Sequence, residues 1–340
     1  KKAIESAHQS IQIWAETPAP QRGTIIYRAF ELLRSRQAEF AKTITEEEGK
    51  SLADALGEVH RSMNIMEYAA GEGRRMFGQT TPSELPHTLA YTTRRPLGVV
   101  SIITPWNFPL AIPAWKIAPA LICGNTIVFK PATSTPISGI NLVSLFEEAG
   151  LPPGVLNIVT GPGSSIGDTL VTHPMVRGIS FTGSTDTGSR LYSMGAGTLK
   201  KVQCEMGGKN AIIVLSDADI EKALTSVVSG AFGSTGQRCT ATSRLIVEET
   251  IYDNFISALI DKTKKLRIGY GLLPGIDIGP ASSEEQLEQI LRYIELGKAE
   301  GATLTYGGNR ITGPGFDEGF YVEPTIFTGV TTNMSIAQEE

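Results

Sequence analysis

The sequence predicts an α/β fold, in which a parallel sheet with helices on both faces is followed by a second α/β domain. Between residues 99 and 194, short apolar strands alternate with helices, which is the arrangement of a parallel sheet covered on both sides. The chain is 340 residues long, which exceeds what one hydrophobic core usually serves. We therefore expect two domains.

The N-terminal 75 residues are predicted to be helical, because apolar side chains such as Ile25 and Ala29 recur at helical spacing. The pattern changes over residues 78–96, which contain two prolines and the alternating segment 89–92. This pattern predicts a short β-hairpin.

The alternating segment that follows supplies four strands and four helices. The predicted strands cover residues 99–103, 126–129, 156–159 and 178–181, and the predicted helices cover residues 109–123, 137–149, 164–171 and 183–194. This layout is typical of Rossmann-type dinucleotide-binding proteins.

A second set of elements begins after Gly207 and Gly208. Strands are predicted at 211–215 and 244–248, and helices at 219–232, 251–266 and 283–300. A β-rich tail that includes residues 321–326 is predicted to follow the last of these helices. No terminating structure precedes Glu340, so we expect further sequence beyond it.

The composition excludes several functional classes. The net charge of −5 and the 41% of hydrophobic residues indicate a globular protein with no nucleic-acid surface. No apolar run reaches the roughly 18 residues of a membrane span, and no signal peptide is visible. The three cysteines argue against a disulfide framework and for the cytoplasm. No metal site is predicted.

The three cysteines lie in different settings. Cys123 ends an apolar helix and is predicted to be buried, and Cys204 is predicted to pack on a strand. Cys239 lies in a polar, glycine-containing turn between a helix and a strand, beside Arg238, which favours the nucleophilic thiolate. The alternative for Cys239 is a surface cysteine without a function.

A nucleophilic cysteine needs a base, and the four histidines are scattered along the chain, which disfavours a cysteine hydrolase. Glu205 ends a predicted strand before two glycines that leave room for a ligand, so it is a candidate general base. The alternative is a strand-end salt bridge from Glu205 to Lys209.

Glycine-rich turns suggest where a cofactor phosphate binds. Residues 161–167, including Gly163, are one residue longer than the dinucleotide-binding fingerprint, which makes them weak evidence. At residues 181–185 a strand turns into a helix, whose N-terminal N–H groups suit a pyrophosphate. Lys130 ends the second strand, at the sheet edge where ligands gather.

Five motifs resemble the aldehyde dehydrogenase superfamily in order and spacing, and the resemblance covers nearly the whole chain. They are residues 104–109, 129–132, 181–185, 205–209 and 236–239. The resemblance implies an NAD(P)-binding domain at 1–77 and 97–207, an oligomerisation hairpin at 78–96, and a C-terminally incomplete catalytic domain at 208–340. It also implies a homodimer or homotetramer.

The resemblance implies roles for three catalytic residues. Cys239 attacks the aldehyde to give a thiohemiacetal, whose oxyanion binds the Asn107 side chain and the Cys239 N–H. After hydride transfer to the nicotinamide, Glu205 activates the water that hydrolyses the resulting thioester. Asn107 is assigned by the resemblance alone.

The resemblance also supplies the NAD(P)⁺ contacts. Lys130 contacts a ribose hydroxyl, Ser184 the pyrophosphate, and Glu340 the nicotinamide ribose. The full set of cofactor candidates, with Gly163 from the glycine-rich turn, is Ile103, Thr104, Pro105, Trp106, Lys130, Thr133, Gly163, Phe181, Gly183, Ser184, Met206, Gly207 and Glu340.

Thr133 departs from the pattern of strict NAD⁺ enzymes of the superfamily, which often carry Glu three positions after the strand-end lysine. A glutamate there binds both ribose hydroxyls and repels a 2′-phosphate, whereas a threonine removes that repulsion. We therefore expect NADP⁺ to be accepted.

Glu205 also separates the branches of the superfamily. Coenzyme-A-acylating and acyl-phosphate-forming members lack this base, and a non-catalytic member would have lost Cys239, Glu205 or Asn107. Hydrolysis to the free acid is therefore favoured.

The substrate is suggested by residues 112–116, 205–210 and 235–240, which most resemble α-ketoglutarate semialdehyde (2,5-dioxopentanoate) dehydrogenases. Succinate semialdehyde and broad-specificity enzymes are the alternatives. Arg238 either pairs with a substrate carboxylate or only tunes the thiolate or packs on the surface. Lys116 faces either the substrate or the helix interior.

Overall fold

The computed structural model describes residues 1–339, so the predicted role of Glu340 lies outside the described residues. Packing groups the chain into two compact units. The first unit comprises Lys1–Phe40 and Gly57–Glu205, and the second comprises Ala41–Leu56 and the chain from Met206 onward. The functional domain boundaries expected from the sequence stay a prediction.

The predicted helical N-terminal region is confirmed. Its helices are α1 (Lys2–Gln9), α2 (Ile11–Glu16), α3 (Ala19–Ser35), α4 (Gln37–Glu48) and α5 (Leu52–Glu72). Trp14 in α2 is fully buried, and its indole N–H donates to the carbonyl of Leu121 at 3.0 Å, which ties this helix to the first unit.

The predicted hairpin is present but short. Strands β1 (Thr80–Thr81) and β2 (Ala90–Tyr91) pair antiparallel, with Thr80 opposite Tyr91. The connecting loop carries Leu85 and Leu89, whose side chains are 68% and 76% exposed. The hairpin thus presents apolar side chains to solvent.

The first unit contains the predicted parallel sheet, in the order β5-β4-β3-β6-β7. Its strands are β3 (Val99–Ile103), β4 (Thr126–Lys130), β5 (Leu156–Ile158), β6 (Val176–Gly183) and β7 (Lys201–Met206). Every residue of β3 and β4 is buried, as expected when both faces of a parallel sheet are covered.

The helices of this unit lie close to the predicted positions. They are α6 (Ala111–Ile122), α7 (Pro136–Glu148), α8 (Gly163–Thr172) and α9 (Thr185–Ala196). Helix α1 also packs on the sheet, because Ile4 and Ala7 share a core cluster with Val99, Val128 and Ile179.

The second unit contains the predicted strands β8 (Asn210–Val214) and β9 (Thr242–Val247), which pair in parallel. Helices α10 (Ile220–Phe232) and α11 (Tyr252–Thr263) bury Leu224, Val227 and Phe255 in a core that includes Val214 of β8. The remaining elements are α12 (Glu284–Ala299), β10 (Thr303–Tyr306), β11 (Ile326–Thr328) and α13 (Ser335–Gln338).

The predicted β-rich tail follows α12, because β10 and β11 pair antiparallel there. Its named segment, residues 321–326, contributes little strand: Val322 makes one antiparallel bridge to Arg310, and β11 begins only at Ile326. Pro324 has no backbone N–H, so it cannot contribute a donor to a strand ladder there. No bounds were predicted from the sequence for β10, the partner of β11.

The prediction that Cys123 is buried is also wrong. Cys123 is exposed and follows the last residue of α6 as its C-cap, so it lies beyond the buried turns of that helix. Cys204 is half-buried beside the sheet core, as predicted, with its Sγ 3.7 Å from the carbonyl oxygen of Gly188.

Across residues 1–339, no helix is both long and apolar enough to cross a membrane. The same residues hold no group of three or more His, Cys, Asp or Glu side chains placed to bind a metal ion.

Candidate functional site

Cys239 lies in the turn between α10 and β9, and the backbone of this turn is unusual. Ser234 (φ 51°, ψ 37°) and Thr235 (φ 58°, ψ 25°) are left-handed, and Gly236 follows with φ 69°. For residues other than glycine this conformation costs about 1–2 kcal/mol each. Such a turn persists only when its surroundings hold it.

Side chains fix the backbone of the Cys239 turn at both ends. The Arg238 guanidinium donates from Nη2 to the carbonyls of Ser229 at 2.5 Å and Gly230 at 2.9 Å, in the last turn of α10. On the other side, Asn210 Nδ2 donates to the carbonyls of Cys239 at 2.8 Å and Ala241 at 3.2 Å. The Cys239 side chain is half-buried, which is compatible with a reactive thiol.

Gln237 joins the same turn to a neighbouring loop of the second unit. Its side-chain oxygen accepts from the N–H of Ser282 at 2.9 Å, and its Nε2 lies 3.4 Å from the carbonyl of Pro280 and 3.5 Å from Glu48 Oε1. The conformation around Cys239 therefore depends on several separate segments of chain.

Glu205 lies near the end of β7 and is linked to a polar network in the first unit. Gln203 Nε2 donates to Glu205 Oε1 at 2.6 Å. The Gln203 Oε1 atom accepts from Ser180 Oγ at 2.6 Å and from Lys116 Nζ at 3.3 Å. Glu205 itself is exposed, so a water molecule has access to its carboxylate.

Lys116 is the buried cation of this network. Its Nζ donates to Ser180 Oγ at 2.9 Å and to the carbonyl of Phe181 at 3.3 Å. Burial lowers the pKa of Lys116 to about 8, while the nearby charges of Glu205 and Cys204 oppose that shift. These contacts favour the interior orientation of Lys116 over a direct substrate contact.

Asn107 lies in the segment that follows β3 and leads into α6. The buried carboxylate of Glu58 accepts from the N–H groups of Leu110 at 2.8 Å and Ala111 at 3.0 Å, which anchors the start of α6. The hydroxyl of Thr135 donates to the carbonyl of Trp106 at 3.4 Å, which holds the backbone next to Asn107. Asn107 is half-buried as a residue, and its amide oxygen Oδ1 is buried.

The carboxyl edge of the sheet brings several cofactor candidates together. Ile103 pairs in register with Lys130 on one side and with Phe181 on the other. The N–H of Thr104 donates to the carbonyl of Lys130 at 3.1 Å. Lys130 is 5% exposed, its Nζ donates to the carbonyl of Pro131 at 3.0 Å, and burial lowers its pKa.

The turns after β5 and β6 fit the phosphates of a dinucleotide. Gly163 is the first residue of α8, and a Cβ built on it would meet no atom within 4 Å, which leaves open space there. A Cβ on Gly183 would lie 2.5 Å from the Phe181 ring, so a larger residue there would force that ring to move. Ser184 is the N-cap of α9, where the N–H groups of the first helical turn point outward.

Thr133 lies on an exposed loop after β4, and its hydroxyl donates to the carbonyl of Gly161 at 3.2 Å. Met206 ends β7 with 39% of its surface exposed, and Gly207 follows it. Pro105 and Trp106 are half-buried after β3. These residues are accessible to a ligand.

The catalytic candidates are divided between the two units. Asn107 and Glu205 belong to the first unit, and Cys239 belongs to the second. Their joint action stays a prediction.

Gln203 and Asp54 were missed by the sequence analysis. For Gln203 a signal existed, because residues 203 and 205 alternate on one strand and so share a face. Asp54 accepts the backbone N–H of Ser234, in the Cys239 turn, through its Oδ2 at 2.9 Å. No sequence signal predicted this contact, since the two residues are 180 positions apart.

Comparisons with known proteins identify relatives across the whole chain. The profile of the aldehyde dehydrogenase family matches residues 1–340. The alpha-ketoglutaric semialdehyde dehydrogenase of Bacillus subtilis is 46% identical over 340 residues, which is 100% of this chain and 70% of that protein. The 2,5-dioxopentanoate dehydrogenase of Saccharolobus solfataricus is 47% identical over 342 residues, with the same 100% and 70% coverage.

A solved structure shares the fold. The betaine aldehyde dehydrogenase of Staphylococcus aureus, as a P449M variant in complex with NAD⁺, superposes with a TM-score of 0.97 at 36% identity. The match covers 99% of this chain and 69% of that one.

Proposed function

Because the chain belongs to the aldehyde dehydrogenase family and is therefore an oxidoreductase, we propose that it oxidises α-ketoglutarate semialdehyde to the dicarboxylate with NAD(P)⁺. The observation that carries this substrate is the 46–47% identity, over the whole chain, to two relatives named for it. Members of this family act on small-molecule aldehydes, so the class of substrate follows from membership.

In the proposed reaction Cys239 is the nucleophile. Its thiolate sulfur bonds to the aldehyde carbon, and the Asn107 amide and the Cys239 N–H stabilise the resulting oxyanion. When bound, NAD(P)⁺ would supply the acceptor for the hydride that leaves this carbon, and Cys239 would then carry the thioester. Support comes from the hydrogen bonds of Arg238 and Asn210, which hold the backbone that carries the thiol.

Glu205 is the proposed base for the second half of the reaction. Its carboxylate removes a proton from water, the water oxygen attacks the thioester carbon, and the acid leaves as the thiolate re-forms. The exposure of Glu205 supports this role because water can reach it, and the bond from Gln203 orients the carboxylate.

The proposed cofactor site lies at the carboxyl edge of the sheet in the first unit. Lys130 would hold a ribose hydroxyl, and Gly183, Ser184 and the N-terminus of α9 would hold the pyrophosphate. The open space at Gly163 supports a close approach of the cofactor to the backbone of α8. Ile103, Thr104, Pro105, Trp106 and Phe181 complete the proposed set in the first unit. Met206 and Gly207, with which the second unit resumes, stay predicted cofactor contacts.

We propose that NADP⁺ is accepted as well as NAD⁺. Thr133 offers a neutral hydroxyl where a glutamate would repel the 2′-phosphate, and it lies on an exposed loop that leaves space for the phosphate.

We propose a homodimer or homotetramer that uses the hairpin of residues 78–96. An isolated two-stranded hairpin is marginally stable in water, and this one exposes Leu85, Leu89 and Tyr91. Light scattering of the wild type and of a Leu85→Ser/Leu89→Ser variant tests this proposed assembly. A monomeric wild type would contradict it.

A substrate panel tests the proposed function. The rate of absorbance increase at 340 nm is measured with 2,5-dioxopentanoate, succinate semialdehyde and pentanal, which has the same chain length without the carboxylate. We expect kcat/KM to be highest for 2,5-dioxopentanoate, by about tenfold or more, the size of one charged contact. A kcat/KM for pentanal equal to or above that for 2,5-dioxopentanoate would reject 2,5-dioxopentanoate as the substrate. A higher kcat/KM for succinate semialdehyde would identify that aldehyde as the substrate instead.

A further inference from the structure

We propose that Asp54 is a positioning residue for Cys239, acting through a hydrogen bond that holds the turn of residues 233–239. The inference rests on the proposed role of Cys239 as the nucleophile. It concerns residues of the second unit alone, in which the segment Ala41–Leu56 packs with the chain that carries Cys239.

The turn needs an external support because its backbone is not self-stabilising. Ser234 and Thr235 are both left-handed although neither is glycine. The left-handed conformation is unfavourable at any residue other than glycine, so both residues oppose the observed turn. Without a compensating contact, the chain between α10 and Cys239 would relax to another conformation.

Asp54 provides that contact at the first left-handed residue. Its Oδ2 accepts from the backbone N–H of Ser234 at 2.9 Å. Ser234 is only 4% exposed, so this N–H would lose its partner in a site with little water. A carboxylate acceptor makes the bond stronger than a neutral one, and an unsatisfied buried donor is costly.

Asp54 is itself held rigidly at the start of α5. Its backbone N–H donates to Ser51 Oγ at 3.2 Å, and Ser51 Oγ donates back to Asp54 Oδ2 at 3.0 Å. The same oxygen therefore bridges the first turn of a helix and the turn before Cys239. This links the position of the thiol to a rigid element rather than to a loop.

The other end of the turn is anchored independently of Asp54. Thr235 Oγ1 lies 3.3 Å from the carbonyl of Gly279, and Arg238 and Asn210 fix the backbone next to Cys239. Loss of the Asp54 bond would then displace the turn without unfolding it. A displacement of about 1 Å at a reacting atom is enough to cost up to 100-fold in rate.

The test compares three variants of the full protein. Asp54→Ala removes the acceptor, Asp54→Asn keeps a weaker one, and Asp277→Ala is the control. Asp277 also accepts a backbone N–H, that of Arg267, at 2.9 Å within the second unit. The readouts are kcat and KM for the aldehyde, and the rate at which iodoacetamide alkylates Cys239.

We expect Asp54→Ala to lower kcat by about tenfold or more with a change in KM below about threefold, since positioning affects the reacting atoms more than binding. The rate at which iodoacetamide alkylates Cys239 should also fall in Asp54→Ala. Asp54→Asn should recover kcat to within about threefold of the wild type, because its amide oxygen still accepts the N–H of Ser234, although more weakly than the carboxylate does. Asp277→Ala should have the kcat and the Cys239 alkylation rate of the wild type. If Asp54→Ala also has wild-type values for both, the proposal is overturned.

Hydrogen exchange covers the case in which Asp54→Ala does not fold. In Asp54→Asn, the Ser234 amide should exchange several-fold faster than in the wild type, with no change in the melting temperature. Unchanged exchange at Ser234 would overturn the proposal. Both exchange and alkylation can be read even if the wild type oxidises no aldehyde, so failure of the proposed function is distinguishable from failure of this inference.

Discussion

The ammonium group of Lys116 donates a hydrogen bond to the hydroxyl of Ser180 at 2.9 Å, and both side chains also contact the amide oxygen of Gln203. Lys116 is only 7% exposed. The ammonium group therefore binds to a hydrogen-bond network inside the first unit. At the other end of this network, Gln203 donates to Glu205.

The first prediction concerns the pH dependence of stability. Because burial lowers the pKa of Lys116 to about 8 from 10.5, the unfolded chain holds one proton more than the folded chain between these pH values. The free energy of unfolding contributed by Lys116 therefore rises as pH increases from about 8 to about 10.5. The cost of burying the charge is fully present below pH 8.

Urea unfolding of the wild type and Lys116→Met at pH 7 and pH 9.5 measures this effect. The difference in unfolding free energy, wild type minus variant, should move in favour of the wild type at the higher pH. The exposed Lys201 provides the control, and Lys201→Met should show no such movement. A difference that stays constant or reverses for Lys116→Met contradicts the prediction.

The second prediction concerns Glu58, whose buried carboxylate accepts two N–H groups at the start of α6. Glu58→Ala should lower the free energy of unfolding by about 2–4 kcal/mol, because both donors lose a charged acceptor. Glu58→Gln should lower the free energy of unfolding by a smaller amount. Glu147→Ala, at an exposed position of α7, is the control in the same urea titration. If Glu58→Ala lowers the free energy of unfolding by no more than this control does, Glu58 does not anchor the start of α6.

The third prediction concerns cofactor choice. In Thr133→Glu, kcat/KM for NADP⁺ should fall by about tenfold or more relative to NAD⁺, since the new carboxylate repels the 2′-phosphate. Thr133→Ser keeps a hydroxyl and should leave the ratio within about twofold of the wild type. A wild type with a large NAD⁺ preference that Thr133→Glu does not alter would reject the assignment.

The fourth prediction concerns Arg238. Its guanidinium donates to the last carbonyls of α10, and this use favours a role in supporting the turn over a bond to a substrate carboxylate. Arg238→Ala should therefore lower kcat/KM by the same factor for 2,5-dioxopentanoate and for pentanal. A loss confined to the acidic aldehyde would instead assign the guanidinium to the substrate.

Most of the fold could be predicted because burial leaves a strong pattern in the sequence. Strands β3 and β4 are apolar at seven of their ten positions, and the structure buries all of their residues. Strand β10 alternates exposed and half-buried residues over only four positions, which gives too weak a signal. Cys123 was misplaced because the apolar run before it ends at Ile122.

The candidate site was only partly predictable. The turn of Cys239 has a local signature in its glycines and polar residues, but its support by Asp54 joins positions 180 residues apart. The interior orientation of Lys116 depends on Ser180 and Gln203, which lie on two other strands. Such contacts follow from tertiary packing and cannot be read from spacing along the chain.

The role of Cys239 as the nucleophile is tested most directly by NAD(P)H formation by the purified protein with 2,5-dioxopentanoate, compared between the wild type and Cys239→Ser. We expect a steady absorbance increase at 340 nm for the wild type, and none above background for Cys239→Ser. We also expect mass spectrometry of the wild type with substrate, quenched in acid, to find the acyl group on Cys239. Full activity of the folded Cys239→Ser variant would rule out a thioester on Cys239.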